Sequence, residues 1–331
     1  MSLVRLVPLI RKTAVKLREI VQVANINNMS SKAIKNFHTL CNSKVSSGSQ
    51  SIVMVTAYDL PTMRFATNGG ADLVLVGDSC AMVMLGYEST MKMTHDEMKM
   101  FVGAVARAQS DVPIVADMVW GSYHSSDKKA IENAIELIQC GAHAVKLEGG
   151  TERVATIRAM VSAKIPVVGH VGLTPQSILE MGSYKVQGRD LENAQQVLTD
   201  ARAVQDAGAS MLVVECVPDA LSRIITEELD IPVIGIGAGR HVDGQVLVMH
   251  DLLGIGEGKP AKFVRQYSDF EAQGVSAVSR FVDDVRQSNF PNSSETYHMA
   301  DDVVEEMQKG FIDIGVSAPE IQSSGRENSS Q

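Results

Sequence analysis

Eight short apolar runs, each closed by a polar or glycine-containing turn and most followed by a helical segment, constrain this chain more than any other feature. They are SIVMVTAYD (51–59), DLVLVGDS (72–79), VPIVADM (112–118), HAVKLEGG (143–150), IPVVGHVG (165–172), SMLVVECVP (210–218), IPVIGIGAG (231–239) and GQVLVMHD (244–251). Apolar stretches of this length without strict alternation read as parallel strands covered on both faces. The segments between them, such as 94–109, 128–142, 152–163 and 190–209, space apolar residues by three and four, as helices do. Gly-Ala pairs beginning at Gly70, Gly141 and Gly208 read as helix C-caps feeding the next strand, and Asp190 as the N-cap of the helix after it. Eight such units predict a (β/α)8 barrel. A doubly wound open sheet fits less well, because no G-x-G-x-x-G follows the first strand. The weakest link is 240–243, too short for a crossover helix. Either that connection is irregular or the eighth strand lies elsewhere.

A barrel needs about 250 residues, and the chain has 331. The surplus falls into two tails of opposite charge. Residues 1–50 hold eight Lys/Arg and one acid, Glu19, and residues 291–331 hold eight acids and two bases. The amphipathic, basic, acid-poor start reads as a mitochondrial transit peptide or N-terminal extension over 1–48, with a cytoplasmic location as the alternative. The barrel is then expected over 49–299 and an acidic tail over 300–331. A net charge of −9 argues against a general nucleic-acid binder, and no apolar stretch approaches a membrane span. Four cysteines without a C-x-x-C pair argue against a disulfide scaffold or structural zinc site.

Side chains at the carboxyl ends of barrel strands converge on one mouth. Asp59, Asp78, Asp117, Lys146, Glu148, His170 and Glu215 hold such positions on six runs. Any single Asp there could simply cap a helix; six strands ending this way point to chemistry. Asp78, Asp117 and Glu148 end three successive strands, and clustered carboxylates repel unless a proton or cation sits among them. Oxygen donors favour a hard ion such as Mg²⁺. Lys146, two residues before Glu148, faces the same side and offers a positive charge to a substrate carboxylate. Glu215, across the mouth, suits a base. Two other features read as packing: the GIGAG turn, which could also cradle a phosphate, and the His250-Asp251 pair.

The phrases TAYD (56–59), LVGDS (75–79), LGYEST (85–90), VKLEGG (145–150), GHVGLTPQ (169–176), VECVP (214–218), IGIGAG (234–239) and GQVLVMHDLLG (244–254), in this order, resemble the ketopantoate hydroxymethyltransferase family. The resemblance runs from about residue 51 to 299. It implies a barrel of the phosphoenolpyruvate/pyruvate-binding superfamily, Mg²⁺ dependence, 5,10-methylenetetrahydrofolate as one-carbon donor to a small 2-oxo acid, and a homo-oligomer, a decamer in relatives. Carried over by position, it implies Asp78, Asp117 and Glu148 at the metal, with Glu148 binding directly or through water. Asp78, Ser79, Asp117 and Lys146 would lie at the substrate, and Glu215 would be the general base. Asp59 and His170 would line the pocket, His170 with no role in proton transfer. Cys80-Ala81 and Trp120 depart from the residues usual in relatives and are expected to alter pocket shape. Two alternatives stand beside this reading: another Mg-dependent 2-oxo-acid carboligase or lyase of the superfamily, and a non-catalytic paralogue.

Overall fold

Strands that are apolar at nearly every position need partners on both faces, and the fold provides them. The computed structural model describes residues 30–313, residue 257 excepted. Strands β1 (Ile52–Thr56), β2 (Leu73–Val76), β3 (Ile114–Asp117), β4 (Ala144–Glu148), β5 (Val167–Gly172), β6 (Met211–Glu215), β7 (Val233–Ile236) and β8 (Gly244–Leu247) form a closed parallel barrel in sequential order. Closure runs through β8, whose Gly244–Leu247 pair with Ile52–Val55. The connection from β7 to β8 is the irregular one: residues 237–243 return without a helix, and Asp243 N–H donates to the Val233 carbonyl.

Alternate residues serve two cores. Ile52, Met54, Leu73, Leu75, Val115, Ala144, Val168, Met211, Val213, Ile234 and Val246 form a cluster inside the barrel. Val55, Val74, Val76, Ile114, Ala116, Val145, Leu147, Val167, Leu212, Val214 and Val233 face outward into a larger one. The outer cluster is completed by helices α2 (Leu60–Asn68), α4 (His95–Ala106), α5 (Asp127–Gln139), α6 (Val154–Ser162), α8 (Leu191–Asp206) and α9 (Asp219–Glu228), which supply Met63, Phe101, Leu137, Ile157, Val204 and Ile225. Short helices α3 (Cys80–Val83), α7 (Ile178–Met181) and α10 (Met249–Leu253) follow β2, β5 and β8. Asp190 caps α8 through Asn193 N–H as its spacing predicts. Gly141 and Gly208, just past α5 and α8, adopt φ of 117° and 99°, and a Cβ at Gly141 would lie 2.4 Å from that of Ala106. Glycine is required there to turn the chain from helix into strand.

The expected domain boundaries shift at both ends. Helix α1 (Ser31–Leu40) is part of the barrel and not of a detachable extension: Phe37 is 4% exposed and joins the inner cluster as a plug. The Ser30 hydroxyl donates to Asp111 at 2.7 Å, and Lys44 Nζ lies 2.8 Å from buried Asp243. Basic, acid-poor composition marks a docked helix as readily as a leader, so the boundary at 48 came out too late. The reading of 1–29 as targeting sequence lies outside the described residues. At the other end a second unit begins at Asp269, ahead of the expected 300. It contains α11 (Phe270–Arg286) and α12 (Asp301–Asp313). The three-and-four spacing of Val275, Val278, Phe281 and Val285 looks like a barrel helix in sequence, yet all four are exposed. Periodicity reports an apolar face and is silent on what covers it. No described helix is long and apolar enough to cross a membrane.

Candidate active site

The site is a continuation of the barrel's inner stripe. Stepping by two from the inner apolar residues leads from Val115 to Asp117, from Ala144 through Lys146 to Glu148, from Val168 to His170, and from Val213 to Glu215. Strand register then sets Asp117 beside Lys146 and Glu148 beside His170. Asp78 lies two residues beyond β2, where its N–H donates to Asp117 Oδ2 at 3.0 Å. The predicted cluster is therefore assembled, and Asp78, Asp117, Lys146, Glu148 and His170 are each at most 6% exposed.

Its contacts form a chain. Lys146 Nζ lies 2.9 Å from Asp117 Oδ1 and 3.2 Å from His170 Nδ1. His170 Nδ1 is 3.5 Å from Glu148 Oε1, and its Nε2 is 3.1 Å from Glu215 Oε2. These are charge contacts of imperfect alignment: Asp117 Oδ1 and His170 Nε2 are buried without a well-oriented hydrogen bond. Ser79 Oγ lies 2.8 Å from the Tyr58 hydroxyl.

Electrostatics follow from four carboxylates sharing two cations. Burial, then the charges of Asp117 and Glu148, push the Asp78 carboxyl from 3.8 up to about 8. Burial works against the Lys146 charge, but Asp117, Glu148 and Asp78 outweigh it and hold the ammonium firmly protonated. Burial and Lys146 likewise oppose the charged form of His170, yet Glu148 and Glu215 raise it to about 9. His170 is thus more than a lining residue: its ring stands between two carboxylates, 3.5 Å from Glu148 and 3.1 Å from Glu215.

A cavity of about 510 Å³ opens over the cluster, with Asp78, Ser79, Asp117, Lys146, Glu148, His170 and Glu215 in its wall. Asp59 is not there. It caps α2, accepting from Thr62 N–H at 2.8 Å in a reciprocal capping box, the ordinary role of an Asp at a strand-to-helix turn. Cys80 and Ala81 are fully buried, and Trp120 is 43% exposed beside His124. None of the three borders this cavity. In the GIGAG turn, Gly239 has φ of 77° and no room for a Cβ against Asp219, as a tight turn requires.

Gln176 is the residue that charge-based reasoning passes over. It is 4% exposed. Its Nε2 donates to Asp78 Oδ2 at 2.8 Å and to the Met118 carbonyl at 2.9 Å, and its N–H donates to Glu148 Oε2 at 2.9 Å. Its Oε1 accepts from Tyr123 at 2.7 Å. One neutral residue, through its side-chain amide to Asp78 and its backbone N–H to Glu148, therefore ties two of the three carboxylates together. Its signal was the phrase GHVGLTPQ, in which only the His drew attention.

Among the described residues no three His, Cys, Asp or Glu side chains converge closely enough to form a metal cage unaided. The donor set still suits a hard cation. Mg²⁺ commonly takes one or two protein carboxylates and fills its sphere with water and substrate. Asp117 Oδ1 lacks a well-aligned donor, and Asp78 is held back from ionising by burial first and then by the charges of Asp117 and Glu148.

The profile of a family described as ketopantoate hydroxymethyltransferase matches residues 34–293. A protein of Geobacillus thermodenitrificans named 3-methyl-2-oxobutanoate hydroxymethyltransferase is 49% identical over 252 residues, 76% of this chain and 90% of that one. Its namesake in Thermoanaerobacter sp. is 46% identical over 260 residues, 78% and 95% of the two chains. Solved structures share the fold at low identity. A 2,3-dimethylmalate lyase, named as a phosphoenolpyruvate mutase/isocitrate lyase superfamily member, superposes with a TM-score of 0.51 at 16% identity, covering 87% of this chain and all of that one. A phosphonopyruvate hydrolase in complex with oxalate and Mg²⁺ gives 0.53 at 12%, covering 86% and 98%. By profile, by identity over most of its length and by its barrel, the chain belongs to the ketopantoate hydroxymethyltransferase family.

Proposed function

We propose that this barrel mouth enolises 3-methyl-2-oxobutanoate and adds to it the one-carbon unit of 5,10-methylenetetrahydrofolate, giving 2-dehydropantoate for pantothenate and coenzyme A synthesis. The observation that carries this is Glu215, a carboxylate aimed by His170 at 3.1 Å across the cavity from the Asp78, Asp117 and Lys146 cluster. That arrangement separates a base from the groups that hold an anionic substrate.

Asp78 and Asp117, with Glu148 directly or through water, would hold Mg²⁺. The ion supplies Lewis-acid withdrawal at the ketone, easing loss of the C3 proton. Lys146 and the Ser79 hydroxyl bind the keto acid and fix its orientation. Glu215 accepts the C3 proton. The resulting carbon nucleophile forms the new bond to the one-carbon unit, water supplies the hydroxyl, and tetrahydrofolate leaves. His170 and Gln176 hold Glu215, Glu148 and Asp78 in place throughout.

Turnover of 3-methyl-2-oxobutanoate in a folate-dependent assay, abolished by EDTA and restored by Mg²⁺, is the expected result. Activity indifferent to EDTA would contradict the metal, cleavage of a larger 2-oxo-acid-derived substrate would favour a lyase, and no turnover of either would favour a non-catalytic paralogue. Composition alone supports targeting by residues 1–29, tested by following a fluorescent fusion of that segment. The decameric state implied by the family is tested by sedimentation of the full chain.

A further inference from the structure

We propose that the outer half of the mouth seats the bicyclic one-carbon carrier. Asp251 takes the ring's amino-pyrimidinone edge, Tyr184 and Phe263 flank the ring, and Lys185 and Lys262 receive its anionic tail. This rests on the reaction proposed above, in which a reduced folate is the donor.

A five-carbon keto acid fills only part of a cavity of about 510 Å³. The charged cluster is buried, whereas Tyr184 and Phe263, in the same wall, are 50% and 38% exposed. Flat aromatic surface left open to water at a cavity mouth fits a flat ligand. Phe263 is also placed by contact: a Cβ at Gly237 would lie 2.9 Å from its Cδ1 and 3.2 Å from Cys216 Sγ. Its ring therefore rests on Gly237, next to the residue that follows Glu215, and a ligand against it reaches the base.

Asp251, on α10 directly after β8, lines this cavity half-buried and has no side-chain hydrogen bond or ion pair among the described residues. It stands outside the chain of contacts that links Asp78, Asp117, Glu148 and Glu215, and burial alone raises its carboxyl. A reduced pterin presents two adjacent N–H donors, the ring N3–H and the 2-amino group, to which a carboxylate can bind in two-point fashion. Lys185 and Lys262 are exposed on this wall with no ion-pair partner among the described residues. On a chain of net charge −9, two unpaired lysines at one rim give a polyanionic tail a local welcome.

The test is titration of the full chain, with Mg²⁺ and 3-methyl-2-oxobutanoate present, by tetrahydrofolate carrying one or three glutamates. The wild type is expected to bind the triglutamate about 10-fold tighter. Asp251→Asn should weaken both about 10-fold or more and keep that ratio. Lys185→Ala/Lys262→Ala should abolish the ratio, a readout that partial misfolding would not mimic. An Asp251→Asn variant binding both carriers as the wild type does, or a ratio that survives loss of both lysines, would overturn the proposal. Wild-type exchange of the keto acid's C3 proton, measured without folate, tells the two readings apart: if exchange occurs, such a failure sinks only the carrier seat, and if it does not, the proposed reaction falls.

Discussion

The two ends of the barrel are built from the same eight strands and handle buried charge in opposite ways. At the amino-terminal end, inward positions are Ile52, Met54, Leu73 and Val115, plugged by Phe37. The buried ion pair there is one cation to one anion: Asp243 faces Lys44 at 2.8 Å, and accepts from Val45 N–H at 2.9 Å and Val233 N–H at 3.0 Å. At the carboxyl-terminal end the same inward stripe turns to Asp117, Lys146, Glu148, His170 and Glu215, with more carboxylates than cations. One end is closed electrically and sterically. The other carries an unmet demand for positive charge, which is what a site for a cation and an anionic substrate requires.

Three experiments can break or sharpen that contrast. The largest effect is expected from Asp117→Ala, which should lower turnover by about 10²–10³-fold and weaken Mg²⁺-dependent binding of the keto acid. Unchanged affinity by calorimetry would remove Asp117 from the substrate and metal site. Next, Asp243→Ala removes the carboxylate facing Lys44, which keeps its bonds to the Thr226 and Ile231 carbonyls, and takes the acceptor from two backbone N–H groups. It should destabilise the fold by about 3–5 kcal/mol in urea unfolding, leaving keto-acid affinity of the folded protein as it was. A stable Asp243→Ala protein with impaired binding would show that the ends are not divided in this way.

The third test concerns pH. Because burial, then the charges of Asp117 and Glu148, push the Asp78 carboxyl up from 3.8 to about 8, its neutral form is the one the fold favours. That contribution is fully present below about pH 4, declines as pH rises through the window between the two values, and is gone above about 8. In EDTA, Asp78→Asn should therefore flatten stability across this window and be the more stable protein at pH 8. A wild-type curve equally flat would show that neither burial nor the neighbouring carboxylates raise Asp78.

The barrel was legible because its strands are apolar on both faces, and the mouth carboxylates Asp117, Glu148 and Glu215 because they extend an inner stripe whose period is two. What was hidden depended on partners distant in sequence. Gln176 and Tyr58 are neutral and carry no charge signal, and their importance lies in reaching Asp78, Glu148 and Ser79 across other loops. Asp59 shows the converse, since a cap and a catalytic acid occupy the same place after a strand. Residues 30–48 and α11 were harder to place for a related reason: composition and periodicity describe a helix's face but not the surface it meets.

The central claim is that Glu215 removes the C3 proton. Exchange of that proton for deuterium in 3-methyl-2-oxobutanoate, followed by NMR in deuterated water with Mg²⁺ and no folate, tests it directly. The wild type should exchange, and Glu215→Gln should bind the keto acid with little change yet exchange at least about 10²-fold more slowly. Exchange at the wild-type rate in Glu215→Gln would contradict the account.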